Sequence, residues 1–141
     1  MTIKRTFAAE LKRLPDMVEF VKKEARRVGF EGKGLFKVEL AMEECLVNVI
    51  RYAYPDSSGE LQIYLSTLPN QGLEVEILDQ GKPFDPVAYH AKADENAPIE
   101  ERSPGGWGVV ILRKTCDEII YEHDGTYNRL KLRIFVHPQQ P

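Results

Sequence analysis

The chain is poor in cysteine: among 141 residues only Cys45 and Cys116 occur, each inside or at the end of an apolar segment. That leaves no spacing for a zinc site, and buried reduced thiols are expected in place of a disulfide. Long hydrophobic runs are also missing. Nowhere do eighteen consecutive apolar residues occur, and Met1 to Phe7 hold no stretch of signal-peptide length. This excludes a hydrophobic membrane-spanning helix, and a cytoplasmic protein with no membrane partner is expected. Excess positive charge is absent as well. With 19 Lys and Arg against 22 Asp and Glu, the net charge is -3 and the pI near 5.7, so no electrostatic footprint for nucleic acid exists. A hydrophobic fraction of 43% and a charged fraction of 29% fit one globular domain over residues 1–141, with no room for a second.

Two phosphate-binding fingerprints fail. Gly32-Lys33-Gly34 has no glycine five positions before it and no Ser or Thr after Lys33, so it is no P-loop and is expected to link two helices. Gly105-Gly106-Trp107-Gly108 is not led into by a strand, so it is no dinucleotide motif either.

What is present centres on Glu39 to Tyr54. Leu35, Val38, Met42, Cys45, Val49 and Tyr52 recur at steps of three and four without an intervening Pro or Gly, which predicts a helix with one core face. On the shoulder of that stripe Glu44 and Asn48 stand one turn apart, so a carboxylate and an amide point into one place. Glu43 lies five residues from Asn48 and is rotated away, toward water. The pair suits metal-assisted attack on a phosphate: the Asn carbonyl as a hard-oxygen ligand of Mg²⁺, the carboxylate orienting or deprotonating the nucleophile. By itself such a pair is more often a polar patch at a helix edge.

Around this helix the periodicity predicts a strand over Ile3 to Ala9 and an amphipathic helix from Pro15 to near Gly29. A hairpin of Leu61 to Leu65 with Leu73 to Leu78 follows, and a second hairpin occupies Glu118 to Val136. Asp79-Gln80-Gly81-Lys82-Pro83-Phe84 places an acid and a glycine at the end of a buried strand, a combination that is first of all turn-forming. From about 85 to 105 periodicity vanishes, as in a lid or binding loop, with at most a short helix around Val87 to Lys92. The glycines 105, 106 and 108 then open an apolar helix, where backbone amides and the helix N-terminus could cradle a phosphate.

Glu-x-x-x-Asn on a helix, Asp-x-Gly at a strand end, and a loop closing on Gly-Gly-Trp-Gly occur here in that order. The sequence resembles the GHKL (Bergerat-fold) ATPases, and within them the anti-sigma factor serine/threonine kinases, over nearly its whole length. The resemblance implies an α+β two-layer sandwich in which a mixed, mostly antiparallel sheet carries helices on one face. It further implies ATP and Mg²⁺ as cofactors, with Asn48 ligating the metal and Glu44 as catalytic base. Asp79 would accept from the adenine amino group, Gly81 would let the backbone approach the base, and Arg102 would meet the γ-phosphate. Gly105, Gly106 and Gly108 would line the phosphates. Pro83 departs from the superfamily, which often has a second glycine there, and Trp107 and Val109 differ from the apolar residues usual around Gly108.

By the same resemblance the expected partners are a sigma factor and a small STAS-type anti-anti-sigma antagonist, the phosphoryl acceptor, with a homodimer as the expected assembly. A nucleotide-dependent binding module with little or no turnover is the competing function. A histidine kinase is disfavoured, because His90, His123 and His137 fall in the lid, a turn and the tail rather than on a dimerisation helix.

Overall fold

The computed structural model describes residues 2–55, 59–85 and 106–137. Strand β1 (Thr2–Ala8) leads through a single 3₁₀ turn (Leu11–Arg13) into helix α1 (Leu14–Val28). Pro15 sits in the first turn, where its missing N–H costs nothing, and Arg26 and Arg27 occupy the last turn, where cations face the negative helix end. The helix stops at Gly29, whose φ of 126° few other residues tolerate and whose N–H reaches back to the Ala25 carbonyl at 3.1 Å.

Helix α2 spans Gly32–Ala53, which corrects the linker expected at Gly32-Lys33-Gly34. The break between the helices is only Gly29 to Glu31, because the Glu31 carbonyl already accepts from Gly34 and Leu35 and so starts the next helix. Strands β2 (Glu60–Leu68) and β3 (Gly72–Asp79) form the first hairpin. Helix α3 (Gly106–Thr115) precedes the second, β4 (Glu118–His123) with β5 (Asn128–Phe135).

The five strands form one sheet in the order β1-β2-β3-β5-β4. Every pairing among the described residues is antiparallel, where a partly mixed sheet had been expected. Strand period two divides the sheet into a dry and a wet face. Leu61, Ile63 and Leu65 of β2, Leu73, Val75 and Ile77 of β3, and Leu130, Leu132 and Ile134 of β5 are buried under the helices. The opposite parity carries Glu74, Glu76, Arg129 and Arg133, tied across strands by Arg129–Glu76 at 2.7 Å and Arg133–Glu74 at 2.9 Å.

Helix α2 lies between α1 and α3 and contributes Val38, Met42, Cys45 and Val49 to the core, as its periodicity predicts. Cys45 and Cys116 are buried free thiols. Burial pushes both pKa values up, Cys116 to about 12, so neither is a thiolate near neutrality. No helix among the described residues is long and apolar enough to cross a membrane.

Candidate functional site

The polar residues of interest interrupt the dry face where rows of apolar side chains run out. Asp79 continues the parity of Leu73, Val75 and Ile77, and Asn128 that of Leu130, Leu132 and Ile134; the register places Asp79 and Asn128 directly opposite each other. Both are buried, at 4% and 3% exposure. A polar group at such a position must be hydrogen-bonded or carry a cost of some kcal/mol. Asp79 Oδ1 accepts from the Gly81 amide at 2.9 Å and from Asn128 Nδ2 at 2.8 Å. Its second oxygen, Oδ2, receives no hydrogen bond among the described residues. Burial pushes the Asp79 carboxyl up from its ordinary value, while the bonds from Asn128 and Gly81 pull it back. Asp79 thus offers one satisfied and one available acceptor.

The turn after Asp79 is held by residues from three other elements. Tyr54, just past the end of α2, accepts from the Gln80 amide at 2.9 Å through its hydroxyl and donates the same hydroxyl to the Glu60 carbonyl at 2.9 Å. The Ala53 carbonyl accepts from Lys82 N at 2.8 Å. Phe84 N donates to the Tyr121 hydroxyl at 3.0 Å and to Asn128 Oδ1 at 3.2 Å. The ring of Phe84 stacks on Tyr52 of α2, centroids 4.8 Å apart. Gly81 proves necessary for a reason the sequence did not suggest: a Cβ there would overlap the Ala53 carbonyl oxygen and lie 2.8 Å from the Ala53 Cβ. The constraint on this residue comes from the α2 terminus.

On α2, Glu44 is half-buried and Asn48 is 4% exposed, one turn further along. Desolvation, and next the charge of Glu43, push the Glu44 carboxyl up, while Arg51 pulls it down. A carboxylate whose pKa is raised is a better proton acceptor than an ordinary one. Asn48 Nδ2 is a buried side-chain nitrogen with no hydrogen-bond partner. The oxygen of the same amide is a hard donor of the kind Mg²⁺ takes. The donor chemistry therefore fits Mg²⁺. Glu43, expected to turn toward water, is half-buried and lines a groove between α1 and α2 with Glu39 and Lys22.

Gly106 and Gly108 fall inside the first turn of α3. Arg102, Gly105, most of the expected lid at 85–105 and the short helix expected at Val87 to Lys92 lie outside the described residues. A cavity of about 320 Å³, lined by residues such as Arg113, Cys116 and Tyr121 near the end of α3, includes none of the predicted site residues that lie among the described residues.

Four residues that sequence reasoning missed complete the arrangement: Tyr52, Tyr54, Tyr121 and Asn128. For Asn128 a signal existed, because an amide stands where the alternation of β5 assigns an inward side chain.

Comparison with known proteins follows the same lines. The family described as histidine kinase-like ATPase domain matches residues 7–134. The serine-protein kinase RsbW of Bacillus cereus (strain AH820) is 28% identical over 103 residues, 71% of this chain and 64% of that protein, and RsbW of Bacillus mycoides (strain KBAB4) is 27% identical over the same span. The chain thus spans less than two thirds of the length of these curated relatives. Among solved structures, the RsbU and RsbW domains of a Mycobacterium tuberculosis protein superpose with a TM-score of 0.65 at 12% identity, covering 96% of this chain and 32% of that one. The histidine kinase domain of an Erythrobacter litoralis blue-light activated kinase superposes at 0.54 with 16% identity, covering 87% and 61%. At these identities the two superpositions speak for the fold alone.

Proposed function

The chain belongs to the histidine kinase-like ATPase domain family, and on that premise we propose that it is an ATP-dependent serine/threonine protein kinase of the anti-sigma type. It phosphorylates a small STAS-type antagonist protein and binds a sigma factor. The observation that carries this reading is the pairing on α2 of Glu44, its carboxyl pushed up by burial, with Asn48, whose buried amide has an unmet valence one turn away. The roles divide as follows. Asp79 Oδ2 accepts from the exocyclic amine of adenine, and the Tyr52–Phe84 pair provides an apolar platform beside it. Asn48 holds Mg²⁺, which when bound neutralises phosphate charge. Glu44 orients and deprotonates the acceptor hydroxyl. The first turn of α3, with Gly106 and Gly108, offers backbone N–H groups to the phosphates, Gly105 lines them as well, and Arg102 meets the γ-phosphate. The relatives named serine-protein kinase support a hydroxyl acceptor rather than a histidine.

The test is transfer of label from γ-labelled ATP with Mg²⁺ to a small STAS-type antagonist protein, for the wild type and for Glu44→Gln. The expected result is transfer by the wild type and a loss of roughly 10²- to 10⁴-fold in the variant, with nucleotide binding kept. Wild-type protein that grips Mg-ATP yet labels no partner would make the chain a nucleotide-dependent binding module instead.

A further inference from the structure

Asn128 has more hydrogen bonds to its side chain than the paired strands around it require. Nδ2 donates to Asp79 Oδ1 at 2.8 Å, to the Lys82 carbonyl at 2.8 Å and, more weakly, to the Gly81 carbonyl at 3.3 Å. Oδ1 accepts from Phe84 N at 3.2 Å and from the Tyr121 hydroxyl. The chemistry fixes which end is which. Three acceptors surround the nitrogen, and a backbone N–H, which can only donate, faces the oxygen, so turning the amide over would lose the bonds to Asp79, Gly81 and Lys82 and the bond from Phe84 N. Tyr121 in turn accepts from Phe84 N, and so holds its own hydroxyl hydrogen toward Asn128.

We infer that Asn128 is the residue that sets purine selectivity: it is a positioning residue that pins Asp79 so that only the bare acceptor Oδ2 faces the ligand, and locks the Phe84 platform to that acceptor. This rests on the nucleotide reading above and deepens it, since the ligand class it selects is a purine with an exocyclic amine where Oδ2 points. A 6-oxo purine would set oxygen against oxygen. Without the donated bond from Asn128, a buried Asp79 carboxyl is free to hold a proton and to rotate, and can then donate as well as accept, so it no longer separates amino from oxo. Asn128 itself need not touch the nucleotide.

The experiment measures binding of ATP and of GTP by calorimetry to wild type, Asn128→Val and Asn128→Thr. Thr and Val have the same shape and both suit a strand, but only Thr keeps a donor for Asp79. Wild type is expected to prefer ATP. Asn128→Val should bind ATP about tenfold or more weakly, with the preference over GTP shrinking by a similar factor, and Asn128→Thr should recover most of the preference. A purely structural role would weaken both nucleotides equally, so an unchanged ATP-to-GTP ratio in folded Asn128→Val overturns the inference. If that variant does not fold, Tyr121→Phe takes its place. Loss of the hydroxyl unpins one side of the amide and should lower the ratio about two- to tenfold, and a wild-type ratio there overturns the inference equally. Wild type that binds no nucleotide at all would overturn the nucleotide reading itself, a distinguishable result.

Discussion

Replacing Asp79 by Asn should separate binding from stability, in opposite directions. The substitution preserves shape, and the new Oδ1 can still accept from Gly81 N and Asn128 Nδ2, so the internal bonds of the turn survive. What changes is the outward atom, an acceptor becoming an NH₂ donor. Toward an amino purine this removes a charge-assisted bond and opposes donor to donor, together about 2–4 kcal/mol, or roughly 30- to 1000-fold in Kd. Toward the fold the effect has the other sign. Burial raises the folded-state pKa of Asp79, so the native protein holds that proton more tightly than the unfolded chain does, and native stability is lost as pH rises from the ordinary carboxyl range through the raised value. Asn carries no such penalty. Thermal or urea denaturation should therefore find Asp79→Asn at least as stable as wild type at neutral pH, with its relative advantage shrinking as the pH is lowered toward 4. Calorimetry should find ATP binding nearly gone. A variant that binds ATP like wild type, or that unfolds at neutral pH, would refute the reasoning.

Three more outcomes follow from the same geometry. Glu43→Gln removes a charge that raises the Glu44 carboxyl, so the acid limb of the kcat/KM profile for transfer should move to lower pH, and a limb that stays in place would disconnect Glu44 from the chemistry. Asn48→Ala should weaken Mg-ATP binding and transfer while metal-free nucleotide binds nearly as before; titrations with and without Mg²⁺ decide this, and equal losses in both would remove the metal role. Gly81→Ala must push the turn off the α2 terminus and should cost about 2–4 kcal/mol in urea denaturation, whereas a near-neutral result would mean that the turn yields easily.

Much of the fold was legible because it is periodic. The stripe Val38, Met42, Cys45, Val49 and the alternations of β2, β3 and β5 are local patterns, and the buried rows match them. Glu44, Asn48 and Asp79 could be singled out for the complementary reason, as polar groups interrupting those patterns. Gly32-Lys33-Gly34 misled because glycine disfavours a helix interior yet is tolerated in a first turn that the Glu31 carbonyl closes. The partners of Asp79 were out of reach for a different reason. Asn128 stands 49 residues away and meets Asp79 only through the β3–β5 register, which β3 itself does not encode. The Ala53–Gly81 and Tyr54–Gln80 contacts depend likewise on where the end of α2 arrives over the sheet.

The segment from Gln80 to Phe84 has no regular structure, yet each of its amides is engaged: Gln80 by Tyr54, Gly81 by Asp79, Lys82 by Ala53, Phe84 by Tyr121 and Asn128, while Pro83 has none to give. In hydrogen exchange this loop should consequently behave like sheet, its amides opening only with the strands and the helix terminus that hold them. It follows that the edge proposed to meet the base is already assembled before any ligand arrives, so binding there would be a rigid docking that carries little ordering entropy.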